Sequence, residues 1–344
     1  MLKFQSVLAT IALSVLFLTS AQEVFTKNVD AAFGNVSKLL VPTYPTFSLS
    51  NKGIHMYPVK QENSYEQANS KKSLEENFTP LYDAPDQAIW HAKSRTWFVS
   101  NLGGGISLKK DNYGWITQTD EKGNVIHEFW IGKTEGMHAP SGMTITNDNL
   151  YVCDRDGVYE INIAKRKINK FFTISGAAFI NDVAIAANGD LFVSDFFGNK
   201  IYKLPQATRI PEVWLETSKL KTPDGLYIDN NNLIVASWGI LSNPETFETS
   251  ELGDLLSIDL KTKKIEILLS KIGNLEGITK AGKYYYVTDW FAGKVLKINP
   301  KQKKVFDFIS GLKNPTDLNY SPELNVIAVP QHGTNQVLFV NLSK

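Results

Sequence analysis

Residues 181–195 read Asn-Asp-Val-Ala-Ile-Ala-Ala-Asn-Gly-Asp-Leu-Phe-Val-Ser-Asp and contain both parts of a motif that recurs along this chain of 344 residues. The second part is a short hydrophobic run that stops at a small or polar residue. Six such runs occur, at 97–99, 150–152, 191–193, 233–235, 285–287 and 326–328. Their last residues lie 41 to 53 positions apart, which is close to the length of a four-stranded propeller blade.

The first part of the motif lies about ten residues before each run and begins with a polar or acidic residue. Its six copies start at Asp86, Ser141, Asn181, Asp224, Glu276 and Thr316. Two signals that share one period define a repeat of four short strands, as in the blade of a β-propeller. The sequence therefore predicts an all-β protein, a six-bladed β-propeller.

The last blade is predicted to end with its third strand, at residues 336–342. An open sheet edge recruits other chains unless it is covered. Residues 78–82 precede the first blade and have the length and character of a strand. We therefore expect this N-terminal strand to complete the last blade and to close the ring.

The N-terminal residues predict targeting and a linker. Residues 1–21 combine Lys3, an apolar stretch at 7–18 and small residues at 19–21, which is the pattern of a cleaved signal peptide. The apolar stretch is short for a bilayer span, so we predict a secreted or periplasmic protein with no transmembrane span in the mature chain. A retained interfacial anchor is the alternative. Residues 22–75 form a polar N-terminal extension or linker, and 76–344 form the propeller.

The overall charge argues against nucleic acid as a partner. The chain has 36 Lys and Arg against 35 Asp and Glu, a formal net charge of +1, and this balance does not predict the basic face that phosphate backbones require. Cys153 is the single cysteine, so an intramolecular disulfide is excluded. We expect a small-molecule substrate as the partner.

Chain direction within a blade brings the two parts of the motif together. The start of the first strand and the end of the second open onto the same face of a propeller, so both meet at one end of the central channel. The two longest connections, 101–113 and 238–253, belong to this face as well. An elaborated channel mouth is where we expect function.

The residues that begin the inner strands predict a cation site. Three carboxylates and an amide that converge on one axis raise each other's pKa unless a cation sits among them. Oxygen ligands suit Ca²⁺, or Mg²⁺ and Mn²⁺, better than Zn²⁺. We therefore predict Asp86, Asn181 and Asp224 as metal ligands. The other interpretation of each position is a turn residue that leads into a strand.

One short stretch and two pairs of motifs resemble the senescence-marker-protein, gluconolactonase and luciferin-regenerating family. They are Ala88-Ile89-Trp90, residues 181–185 with 191–195, and residues 222–226 with 233–235. The resemblance spans about residues 76–343. It implies a six-bladed propeller that hydrolyses lactones and related esters with a divalent cation, commonly Ca²⁺, held by a Glu of the first blade, an Asn of the third and an Asp of the fourth.

The family ligands fall on Asn181 and Asp224, but the family Glu falls on Asp86. Because Asp is one methylene shorter, the metal would have to shift, take a water between, or recruit Glu276. Ser141 stands where the family has a polar substrate-binding residue, so the substrate preference does not transfer. We predict that the substrate contacts Ser141, Glu276 and three further residues. These are His138, Trp238 and His332, and either histidine is also a candidate base.

Together these features predict an exported, divalent-metal-dependent hydrolase of the gluconolactonase or lactonase type. The cation would polarise the carbonyl, and Asp224, or a hydroxide held by the cation, would deliver water. The competing hypothesis is a non-catalytic propeller that binds a small molecule, a sugar or a protein on the same face. A cyclase or condensing enzyme similar to strictosidine synthase is a third interpretation.

Overall fold

A computed structural model describes residues 47–50, 53–56, 82–105 and 110–342. The chain divides into two units, Met1–Leu74 and Glu75–Lys344. In the first unit an antiparallel hairpin joins β1 (Phe47–Ser50) to β2 (Gly53–Met56). The predicted signal peptide lies outside the described residues, as does most of the predicted linker. Within the described part of the chain, no helix has the length and apolar character that a membrane crossing needs.

The second unit is an all-β propeller of six antiparallel sheets, which confirms the predicted fold class. The first blade comprises β3 (Pro85–His91), β4 (Thr96–Asn101), β5 (Trp115–Thr119) and β6 (Val125–Ile131). The second comprises β7 (Met143–Thr146), β8 (Asn149–Asp154), β9 (Gly157–Asn162) and β10 (Lys167–Thr173). The third comprises β11 (Ile180–Ile185), β12 (Leu191–Asp195), β13 (Lys200–Leu204) and β14 (Glu212–Glu216). The fourth blade comprises β15 (Pro223–Asp229), β16 (Asn232–Ser237), β17 (Gly239–Asn243), β18 (Glu248–Asp259) and β19 (Ile265–Gly273). The fifth comprises β20 (Leu275–Ala281), β21 (Tyr284–Asp289), β22 (Lys294–Asn299) and β23 (Lys304–Ser310). The sixth comprises β24 (Asn319–Ser321), β25 (Val326–Gln331) and β26 (Gln336–Asn341). Two short 3-10 turns lie at Ser218–Leu220 and His332–Thr334.

The repeated hydrophobic runs form the second strand of each blade and are buried between blades. Phe98 and Val152, for example, are fully buried in one cluster that joins the first blade to the second. Strands covered on both faces need apolar residues at successive positions, which is why the runs lack the alternation of a half-exposed strand. Each such side chain contributes about 1.5–3 kcal/mol on burial.

The first and last blades are neighbours in the ring. A parallel bridge joins Gln87 to Asp317, and the backbone N–H of Trp90 donates to the Asn319 side chain at 3.2 Å. The last blade has three strands in the described part of the chain. The closing strand expected at 78–82 lies outside the described residues except for Tyr82, so this closure stays a prediction.

The fourth blade carries an additional hairpin. Its connection at 238–253 is not an irregular loop, because β17 pairs antiparallel with the first half of β18. The third strand of the blade is therefore the second half of one long strand. The other long connection, 101–113, is described up to 105 and from 110 onward.

Candidate functional site

Four inner strands carry a β-bulge at the position of the repeated polar motif. In β11, Ile180 pairs with Asp195 and Val183 pairs with Val193, so the inner strand has one residue more than its partner. The same irregularity occurs in β3, β15 and β20. A bulge re-aims the side chains around it. Two successive side chains of one strand can therefore both face the channel.

The small residue at the end of the hydrophobic run supports this bulge. The hydroxyl of Ser100 accepts from the backbone N–H of Gln87 at 2.9 Å. Ser194 accepts from Asp182 at 2.9 Å, and Thr288 accepts from Gly277 at 2.7 Å. A buried N–H that leaves the ladder needs another partner, so the hydroxyl in the second strand stabilises the polar motif in the first.

The inner motifs deliver five of the six predicted motif residues to one pocket, four of them from bulged strands. The pocket has a volume of about 170 Å³ and is lined by Asp86, Ser141, Asn181, Asp224 and Glu276. The sixth, Thr316, instead donates its hydroxyl to the backbone carbonyl of Pro85 at 3.1 Å and holds the first blade to the last. The polar floor of the pocket thus comes from five different blades.

The five residues predicted to contact substrate are not all placed alike. Trp238, Ser141 and Glu276 line the pocket, although the hydroxyl of Ser141 already donates to the backbone carbonyl of Asn181 at 2.6 Å. His138 and His332 lie outside the lining. Desolvation lowers the pKa of His332 to about 4, so this imidazole is neutral at pH 7.

Each histidine has contacts that hold a neighbouring segment in place. His332 packs edge-on against Trp290, with ring centroids 5.2 Å apart, and Trp290 is part of the pocket wall. His138 accepts through Nδ1 from the backbone N–H of Asn112 at 3.3 Å, while its own backbone N–H donates to Asp154 at 2.9 Å. His332 therefore supports the wall, and His138 fixes the long connection of the first blade.

The carboxylates on the pocket floor are buried and lack partners. Asp86 Oδ2, Asp224 Oδ1 and Glu276 Oε2 are all shielded from solvent, and none has a hydrogen-bond partner among the residues that the structure describes. Desolvation, with repulsion from neighbouring carboxylates, raises the pKa of Asp86 to about 7. The same two causes raise the pKa of Asp224 and of Glu276 well above the ordinary range. Unpaired carboxylates in this setting require a proton or a cation.

A second layer of polar side chains lies next to the floor, and the sequence analysis did not identify it. Asp182 accepts from the backbone N–H of Leu226 in the next blade at 2.6 Å. Gln87 donates to Asp317 and accepts from the backbone N–H of Met143. Desolvation raises the pKa of Asp182 to about 7 and that of Asp317 well above its usual range.

Glycines in the neighbouring blades make room for the second layer. A Cβ on Gly142 would lie 2.1 Å from Asp182 Oδ1, and one on Gly277 would lie 2.4 Å from Asp317 Oδ1. Both distances are far below a van der Waals contact, so these glycines permit a close approach. This close approach explains why a glycine follows Ser141 and Glu276 in the motif.

Arg155 places a buried cation beside the acidic floor. Its side chain is buried, and its Nε and Nη2 have no hydrogen-bond partner among the described residues. The guanidinium lies over the ring of Phe179, 5.1 Å from the centroid. Its positive charge partly offsets the effects that raise the pKa of Asp86. No sequence motif predicted a role for this residue.

The wall of the pocket above the floor is aromatic. Its aromatic side chains are Phe179, Phe196, Trp238, Phe247, Trp290 and Phe291, and Leu102 and Thr246 also line the pocket. Trp238 lies at its centre, with ring centroids 5.6 Å from Phe196 and 5.6 Å from Phe291. Of these six aromatic residues, the sequence predicted Trp238 alone. A signal for others was present, because aromatic residues directly follow the second strand in the third and fifth blades.

The donor atoms of the floor are of the kind that a hard divalent cation prefers. They do not, however, form a closed coordination cage. Its oxygens come from carboxylates and one amide, and three of the carboxylate oxygens are buried without a partner. Over the described residues, however, no group of three His, Cys, Asp or Glu side chains is close enough to hold a metal ion. Asn181 would have to contribute a ligand oxygen.

No protein-family model matches this chain, and no curated protein matches it in sequence.

Proposed function

We propose that the chain is a member of the senescence-marker-protein, gluconolactonase and luciferin-regenerating family and a divalent-metal-dependent hydrolase that opens a lactone or related ester. One observation supports this most: Asp86, Asn181 and Asp224 line a single pocket, and each of the two carboxylates has a buried oxygen without a partner in the described part of the chain. Such oxygens are costly to bury unless something neutralises them.

The cation would be held by Asp86, Asn181 and Asp224, with Glu276 beside them on the floor. Bound Ca²⁺, or Mg²⁺ or Mn²⁺, would polarise the lactone carbonyl and stabilise the negative charge that develops on its oxygen. Asp224 is the base in this proposal. Without a cation, desolvation and Asp86 raise the pKa of Asp224. A bound cation would keep this carboxylate ionised and therefore able to accept a proton.

Ring opening needs one proton to be moved twice. Asp224 takes a proton from the attacking water as the water oxygen bonds to the carbonyl carbon. The bond between that carbon and the ring oxygen then breaks, and Asp224 returns the proton to the ring oxygen. The product is a hydroxy acid. Ser141 holds the backbone of Asn181 through its 2.6 Å hydrogen bond, so it positions the amide rather than touching the reacting atoms.

The aromatic wall also favours the second candidate, a propeller that binds a small molecule without turnover. Such a wall binds a ligand whether or not chemistry follows. The two functions are separated by measuring metal content and lactone opening on the same purified sample. Metal at one equivalent with ring opening supports the hydrolase. Ligand binding without ring opening of any lactone supports the binding protein.

The metal proposal predicts stabilisation by Ca²⁺. An ion that binds the native state alone raises its stability by about 2.7 kcal/mol at a hundredfold excess over Kd. For a domain of this size, that corresponds to a rise in Tm of roughly 5–10 °C. Differential scanning calorimetry with chelator and then with millimolar Ca²⁺ measures it.

The matched control is the double variant Asp86→Asn and Asp224→Asn, which should lose the shift. An equal shift in this variant would assign the stabilisation to another place on the protein. No shift with Ca²⁺, Mg²⁺ or Mn²⁺ would count against the site.

Export is the remaining part of the proposal, and it is based on the pattern at residues 1–21. We expect the mature chain to begin near Gln22 and to be found outside the cytoplasm. Intact-mass measurement of the protein from its native host tests this. A mass that includes residues 1–21 in a cytoplasmic fraction would contradict it.

A further inference from the structure

We propose that the substrate is a small lactone with an apolar aryl or alkyl face, and that the aromatic wall selects it over polyhydroxylated sugar lactones. This inference rests on the proposed lactonase function. It concerns the part of the pocket that the proposed chemistry does not use. The wall is formed by side chains of the third, fourth and fifth blades, whereas the chemistry lies on the floor.

The polar groups of the pocket are confined to one side. Asp86, Ser141, Asn181, Asp224 and Glu276 all come from the inner motifs and form the floor. Among the described residues of the wall, only Thr246 is neither aromatic nor aliphatic. Each hydroxyl of a sugar needs a hydrogen-bond partner when it is buried. Six aromatic rings provide an apolar surface and few such partners.

The backbone at Phe247 is strained in a way that presents its ring to the pocket. Phe247 has a φ of +61°, a left-handed conformation that is uncommon for a bulky residue. Its carbonyl accepts from Nε1 of Trp238 at 2.8 Å, which holds the turn between β17 and β18 in place. Strain of this kind persists where surrounding contacts enforce it, and it is concentrated at functional sites.

Phe291 leaves an aromatic surface uncovered at the pocket mouth. It lines the pocket, yet its side chain is 50% exposed. Its ring packs edge-on against Trp238, with centroids 5.6 Å apart, so one part is fixed and the rest is free to contact a ligand. A volume of about 170 Å³ resembles that of apolar cavities that hold a single aromatic ring. The ligand is therefore a compact one.

The test compares two δ-lactones of similar size, dihydrocoumarin and glucono-δ-lactone. We expect kcat/KM to favour dihydrocoumarin by about 10- to 100-fold, the discrimination that an apolar pocket achieves through small differences in apolar contact. Titration calorimetry of the same two compounds gives a readout independent of turnover.

The outcomes separate this inference from the proposed function. Faster opening of the sugar lactone, or equal rates, would overturn the aromatic selection and leave the lactonase standing. Binding of dihydrocoumarin without opening would support the selection and overturn the lactonase. If neither compound binds or is opened, both proposals are wrong.

A matched pair of variants assigns the selection to the wall. Phe291→Ala should raise KM for dihydrocoumarin about 10-fold with little change in kcat, because an apolar contact is made equally in the ground and transition states. The control is Phe306→Ala on the fourth strand of the fifth blade, since Phe306 is also 50% exposed but lies outside the pocket lining. Equal effects of the two variants would remove Phe291 from the substrate site.

Discussion

Asp224→Asn should lower kcat for lactone opening by about 10²- to 10⁴-fold, the usual cost of losing a general base. The substitution keeps the shape of the side chain and one oxygen ligand, but an amide cannot accept the proton of the attacking water. Asp224 is buried, and its Oδ1 has no partner within the described ranges, so removing its charge breaks no hydrogen bond seen at that atom. We therefore expect Tm to stay equal or to rise while turnover is lost.

The control for this variant is Asp317→Asn, which removes a buried carboxylate of the same cluster. Asp317 interacts electrostatically with Asp224 but lies outside the pocket lining. Its replacement should leave kcat within about threefold of the original if direct contact matters more than the summed charge. Glu276→Gln should cost much less than Asp224→Asn, because Glu276 is not the proposed base. Equal losses in Asp224→Asn and Asp317→Asn would mean that the carboxylates act as one electrostatic unit and that no single residue is the base.

The number of blades could be predicted from the sequence because the propeller repeats one physical solution six times. Every second strand is covered on both faces, so a hydrophobic run such as 191–193 is required in each blade. Every inner strand needs a polar start at the channel, and Asn181 or Asp224 satisfies this. Two periodic signals of this kind do not depend on contacts between distant residues.

The second polar layer could not be predicted, because it depends on the β-bulge. A regular strand points successive side chains to opposite faces, which would turn Asp182 away from the channel if Asn181 faces it. The extra residue in the ladder removes that alternation. Ser194 provides the hydroxyl that accepts from the freed backbone N–H of Asp182. This pairing can be recognised in the sequence only once the bulge is known.

The aromatic wall was missed for a different reason. Its members come from three blades, and Phe247 joins them only because β17 folds back along β18 and the turn takes a left-handed conformation. Arg155 is similar, since nothing before or after it in the sequence indicates that its side chain is buried beside Asp86. Long-range packing of irregular segments determines these positions, and a local pattern carries little of that information.

The buried carboxylates should make the metal-free protein less stable as the pH rises. The pKa of Asp86 is raised from 3.8 to about 7 in the folded chain, and that of Asp182 likewise. Between these two values the folded state binds more protons than the unfolded state, so the free energy of unfolding falls with increasing pH. The contribution is complete below about pH 4 and is lost as the pH rises through about 7. For one such group the full effect is on the order of 4 kcal/mol.

Calorimetry of chelated protein between pH 6.5 and 8.5 tests this reversal of the usual carboxylate behaviour. Below that window His332 opposes the trend, because its pKa is lowered from 6.5 to about 4 and its contribution increases with pH up to 6.5. Above pH 6.5 the carboxylates dominate. Each of the two groups loses its last ~0.8 kcal/mol across this window, so we expect Tm to fall by roughly 3–6 °C. Saturating Ca²⁺ should flatten the slope, since a bound cation favours the ionised carboxylates that the protons otherwise neutralise. Asp86→Asn should reduce the slope without Ca²⁺. A Tm that is constant or rises across this window in the chelated protein would mean that a group of the protein itself neutralises the carboxylates of the floor. Arg155 would then be the first residue to substitute.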